Sequence, residues 1–264
     1  PQAQAYFKTY YAPNNALVVL VGDLDPAEVI RVAERYFGDL PPQPTPPAPI
    51  LEEPPQPGER RVRVEFPAEP QLLMFYQALP FGHPDTYPLA VLATLLGDGR
   101  SSRLHKRLVE EKRLATSISA GLWLLQYAGL FTIQATPRAP HTLDAVEAAI
   151  EEEIAALKAE LASPREMLKV RNQTEVETVE NLASNAGLAS RLGNAWALTD
   201  NWRSLFSDQD RLAAVTAEDV RSVAQRYLTP GRRTVASLVR GSNTVAGAAG
   251  ARRPVGARQP WDAN

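Results

Sequence analysis

The 264-residue chain carries 28 basic and 30 acidic side chains, a net charge of −2, and is 44% hydrophobic. That is apolar material for one large core or two small ones, while the interleaved charges give no global field for nucleic acid or an anionic membrane. Cysteine is absent, which excludes disulfides, thiolate metal sites and Cys nucleophiles without fixing a compartment.

No apolar run approaches the roughly 20 residues of a membrane span, and no signal peptide is legible. The chain starts at Pro1 rather than Met, so a processed or truncated N-terminus is expected. Residues 2–13, "QAQAYFKTYYAP", read as the end of a helix stopped before Pro13. The continuous apolar run "ALVVLVG" (16–22) predicts a strand buried on both faces. Residues 25–38 predict a helix with Asp25 as N-cap, Pro26 in its first position and Gly38 at its end. Val29, Val32, Ala33 and Tyr36 form its apolar stripe.

Residues 41–58 then hold 9 of the 23 prolines. They can be neither helix nor central strand and predict an extended linker. Strands follow at 60–66 and 71–79, then a helix at 87–96. A hairpin is expected from 115–126 and 129–137, and a long amphipathic helix over 141–162. Another helix starts at N-cap Ser163 and runs toward Leu198. Two more helices (201–215 and 216–228) and a strand (233–241) complete the pattern. The tail, 242–264, is poor in apolar bulk and is expected to be disordered. The chain thus divides into a front piece (1–40), a linker (41–59), an α+β domain (60–241) and a tail (242–264).

The front piece echoes the end of the domain. "QAQAYFKTYYAP" before a valine-rich run resembles "DVRSVAQRYLTP" before "RTVASLV", with Tyr10 and Pro13 matching Tyr227 and Pro230 at an offset of 217 residues. A duplicated domain of that length is the simplest reading.

The segment "LLGDGRSSRLHKRLVEEKRLATSIS" (95–119) concentrates the candidate chemistry. "GDGRSS" lacks the spacing of a phosphate loop and follows a helix rather than a strand. Ser102 and His105 lie on one predicted helix with no nucleophile elbow around the serine. His83, His105 and His141 are the only histidines, and no two stand at zinc-ligand spacing. Arg103, Lys106, Arg107, Lys112 and Arg113 are diluted by Glu110 and Glu111, with no aromatic residues between them to stack bases. The segment therefore reads as a helix-to-helix turn, with Ser101 or Ser102 as N-cap and Leu104, Leu108 and Leu114 facing the core.

"YYAPNNALVVLVGDLDPAEVIRVAERYFGDLP" and "LATLLGDGRSSRLHKRLVEEKRLATSISAG" resemble the M16 family of zinc metallopeptidases over roughly residues 1–240. The resemblance implies an α+β domain of the metallohydrolase (LuxS/MPP-like) type, a mainly antiparallel sheet covered by helices. It also implies two homologous domains closing on a peptide. In the family, zinc is held by an H-x-x-E-H helix and a later glutamate in the first domain. No position here matches them, so no catalytic residue, metal ligand or cofactor is assigned to this chain. An Arg and a Tyr of the second domain hold substrate in many members; the matching positions here are Val109 and Thr116.

The implied partners are an upstream zinc-bearing domain or a partner M16 subunit, and peptide substrates. The chain would be proteolytically inert alone and form half of a peptide chamber, with strand 115–123 lining its inner wall and taking peptide along a free edge. A non-catalytic scaffold subunit or a plain peptide-binding module are the alternatives. The compartment is left open, although many bacterial relatives are periplasmic.

Overall fold

The computed structural model describes residues 2–44 and 54–241. The expected tail, and the middle of the expected linker, lie outside the described residues.

Among the described residues five strands form one mixed sheet: β1 (Arg60–Phe66), β2 (Gln71–Ala78), β3 (Ala115–Leu124), β4 (Gly129–Pro137) and β5 (Arg233–Arg240). Their order is β1-β5-β2-β4-β3. All neighbours are antiparallel except β1 and β5, which run parallel with Val62 opposite Ala236. β1 and β3 are therefore the edges.

Period-two alternation sorts each strand onto two faces. Leu72, Met74 and Tyr76 of β2 share one face with Phe131, Ile133 and Ala135 of β4, and all six are buried. Against that face pack α3 (Thr86–Gly97), α4 (Leu143–Ala159) and α8 (Ala217–Tyr227), with Leu89, Leu92, Ile150 and Val223 fully enclosed. Each such side chain contributes about 1.5–3 kcal/mol of burial. The opposite face of the sheet stays open.

The helix starts follow their caps. Thr142 Oγ1 accepts from Ala145 N at 3.2 Å at the head of α4. At the head of α5 (Pro164–Leu182), Ser163 Oγ accepts from Glu166 N while Ser163 N donates to Glu166 Oε2 at 2.8 Å. The helix expected to run on to Leu198 instead breaks. Ser184 takes an extended backbone and its Oγ accepts from Gly187 N at 3.0 Å, which starts α6 (Asn185–Thr199) afresh. α7 (Ser204–Ala213) follows.

In the front piece, α1 (Gln2–Tyr10) and α2 (Pro26–Phe37) form as expected, and Asp25 Oδ1 accepts from Ala27 N at 3.0 Å. The strand expected at 16–22 does not form among the described residues. The backbone there has no ladder partner, and Leu17, Val18 and Leu20 are exposed. Strand propensity alone makes no sheet, because a strand needs hydrogen bonds from a neighbour.

The echo has a structural counterpart. A tight turn, Pro13–Asn15, follows α1, as Pro230–Arg232 follows α8. At the offset of 217, the buried stripe of α8 (Val220, Val223, Ala224, Tyr227) falls on Ala3, Tyr6, Phe7 and Tyr10, all of them exposed.

Candidate functional site

The 95–119 segment is structural at nearly every position singled out from the sequence. Gly97 brings α3 against β3 so closely that a Cβ there would lie 2.0 Å from Ala120 N. Gly99 turns the chain at φ +72°, a conformation glycine adopts without strain. Ser102 is fully buried, and its Oγ donates to Gly99 O at 2.7 Å rather than capping a helix. No side chain caps the next helical segment, so the expected Ser101 or Ser102 cap is absent; Ser102 uses its hydroxyl to close the preceding turn.

The segment that follows, His105–Glu111, is wound wider than an α-helix. Lys112 N donates to Arg107 O at 2.9 Å, five residues back. Leu104 and Leu108 are fully buried and Leu114 is partly so. Arg103 clamps Glu166 with bonds of 2.6 and 2.9 Å. That bond and the cap to Ser163, against the opposing effect of burial, push the Glu166 carboxyl down to about 2.

Val109 is half-buried against the core and offers a peptide no polar group. Thr116 is exposed at the start of β3. It is the extra residue where the ladder steps from Ala115 opposite Pro137 to Ser117 opposite Thr136, and its Oγ1 donates to Thr136 O at 3.3 Å.

The three histidines do not converge. His83 Nδ1 accepts from Asp85 N in the loop before α3, His105 Nε2 sits 3.8 Å from Glu110, and exposed His141 lies in the turn before α4. Among the described residues no group of three or more His, Cys, Asp or Glu could hold a metal ion. The donor set among the described residues does not fit zinc. Among the same residues no helix is long and apolar enough to cross a membrane.

The two sheet edges differ in chemistry. β1 carries Arg60, Arg61, Arg63 and Glu65. Arg61 grips Glu147 of α4 through bonds of 2.5 and 3.0 Å. Beside it Arg233, only 6% exposed, donates to Glu59 and Glu151. Burial would raise the Glu59 carboxyl, but its bonds to Arg233 and Arg61 outweigh this and hold it below its ordinary value. Burial, helped by the charge of Glu151, pushes the Tyr76 phenol up. The end of the linker joins this cluster: Gln56 Nε2 donates to Arg233 O at 2.6 Å. Charged side chains of this kind protect a sheet edge from accidental pairing.

β3 has no such protection. None of the residues of β2, β3 or β4 is charged. Among the described residues β3 pairs with β4 alone, so its outer side presents backbone donors and acceptors without a ladder partner there. On its open face Ser117 and Ser119 are exposed and Trp123 is 66% exposed. Trp123 and the ionic cluster were not foreseen. The uncharged strands are visible in the sequence, but only the strand order shows that one of them is an edge. A separate cleft of about 510 Å³ lies between α5 and α7 on the helical side, floored by Met167, Val170, Leu212 and Val215.

The fold and sequence match known proteins. The family model described as the Peptidase M16 inactive domain matches residues 1–174. Zinc protease PqqE of Helicobacter pylori is 26% identical over 242 residues, covering 88% of this chain and 53% of that protein. Zinc protease YmxG of Bacillus subtilis is 27% identical over 224 residues, covering 85% and 54%. The crystal structure of a protease from Helicobacter pylori superposes with a TM-score of 0.84 at 26% identity, over 89% of this chain and 58% of that one. The chain thus spans about half the length of the curated relatives it matches. A mostly antiparallel sheet with helices on one face, reached through a match that covers most of the chain, places it in the M16 peptidase family as that family's inactive C-terminal domain.

Proposed function

We propose that this chain forms the non-catalytic half of the peptide chamber of an M16-type zinc peptidase, and that hydrolysis is carried out by a zinc-bearing domain or subunit packed against it. The carrying observation is β3, an uncharged edge strand beside an open sheet face in a domain whose other edge is fenced with charge. A substrate strand added there completes the ladder through main-chain bonds. Val109 and Thr116 supply no guanidinium or phenol, so the hold on a peptide falls to the β3 backbone.

Residues 1–40 serve in this reading as the last piece of a first M16-like domain. The offset of 217 supports it, because the stripe buried in α8 recurs, exposed, on α1. Leu17, Val18 and Leu20 then wait for ladder partners from that domain.

Elemental analysis and a peptide-cleavage assay on the purified chain test the division of labour. No stoichiometric zinc and no cleavage are expected. About one zinc per chain with chelator-sensitive cleavage would contradict it.

A further inference from the structure

We propose that the peptide received along β3 is uncharged where it crosses the open face, and that one of its aromatic or large aliphatic side chains rests on Trp123. This selectivity rests on β3 being the peptide-binding edge.

A strand laid beside β3 continues the pleat, so every second peptide side chain lies over the open face next to Ser117, Ser119, Gly121 or Trp123. Behind these stand Thr132 and Gln134 of β4. None of the six can balance a charge. The open-face cations of the sheet are Arg60 on β1 and Arg240 on β5. At about 4.8 Å per strand they stand about 19 Å or more from an added strand, beyond the ~8 Å screening length at physiological salt. Arg138, after β4, reaches Ala115 O at 3.5 Å, at the end of β3 remote from Trp123. A lysine or glutamate in the middle of the peptide would meet no countercharge there and would forgo the apolar contact that Trp123 offers. The face thus selects by rewarding apolar contact where a charged side chain gains nothing.

Trp123 supplies the reward. It is 66% exposed, and its neighbour on the same face of β3 is Gly121, which has no side chain to shade the ring. Leu125 and Tyr127, 59% and 37% exposed, extend the apolar surface around the β3–β4 turn. An aromatic ring or large aliphatic group seated there removes apolar area from water on both partners.

The test uses the full chain and three acetylated, amidated nonapeptides. One alternates threonine with leucine and phenylalanine; the other two carry lysine or glutamate in place of the apolar residues. Calorimetry or NMR titration should show the uncharged peptide binding about tenfold tighter than either relative. Trp123→Ala should remove most of that advantage, and Trp123→Phe should keep it. Ser119→Glu should make the lysine peptide the tightest ligand, a reversal that a merely structural role would not produce. Equal binding of the three peptides, tighter binding of a charged one to the natural chain, or indifference to Trp123→Ala would overturn the selectivity while leaving β3 as a peptide edge. No binding of any peptide would overturn both readings.

Discussion

Arg113 holds the left-handed conformation at φ +52°, directly before Leu114 and β3. A residue with a side chain spends about 1–2 kcal/mol there, of which glycine would recover part, its looser unfolded chain taking back about 0.5–1 kcal/mol. Arg113→Gly should raise stability by about 0.5–1 kcal/mol in a thermal melt; a loss would mean that the Arg113 side chain contributes packing that outweighs its strain. Gly97 works the opposite way. With a Cβ 2.0 Å from Ala120 N, Gly97→Ala must push α3 off β3 and should cost about 2–3 kcal/mol in urea unfolding. An unchanged midpoint would show that the helix end yields freely. The Glu166 carboxyl, pushed down from 4.5 to about 2, stabilises the fold above its unfolded value and loses that contribution as pH falls from about 4.5 toward 2. Allowing for the solvent that reaches this pair, the loss should be about 1–2 kcal/mol between pH 5 and 2.5. Glu166→Gln should flatten that slope, and identical slopes in both proteins would dismiss the Arg103 clamp as a stabiliser.

At the scale of elements, the sequence is most readable where a residue's neighbours in space are also near in the chain. The β3–β4 hairpin, the capped starts of α2 and α5, and the alternation of β2 all follow from local pattern. The parallel pairing of β1 with β5 does not, because it joins Arg60 to Thr234 across most of the domain. The break between α5 and α6 rests on one cap, Ser184, inside a continuous helix-forming run. The apolar run at 16–22 has strand composition yet makes no strand among the described residues, since composition cannot supply a partner. Of the candidate site, the 95–119 motif marked the family, and that resemblance already implied a peptide edge at 115–123; the contrast between a charged β1 edge and an uncharged β3 edge needed the strand order, and the exposure of Trp123 needed the fold. The exposed Tyr6, Phe7, Tyr10, Val18 and Phe37 of the front piece form surface that invites association. Removing residues 1–53, which spares Gln56 and its bond to Arg233, should reduce self-association in sedimentation and shift the melting temperature by no more than a few degrees. A larger drop would make the front piece part of the domain core.

The molecule as a whole is asymmetric twice over. Helices close one face of the sheet and leave the other open, and charge guards the β1 edge while β3 stays neutral. The proposed guest strand lies where the two asymmetries meet, beside β3 on the uncharged side. In a chain spanning about half of its curated relatives, that surface is where the proposed function places a peptide held in extended form. Amide hydrogen exchange with and without the uncharged nonapeptide tests this most directly. Slowed exchange within Ala115–Leu124, with Arg60–Phe66 unchanged, is the predicted result; protection at β1 instead, or none at β3 when the site is saturated, would contradict it.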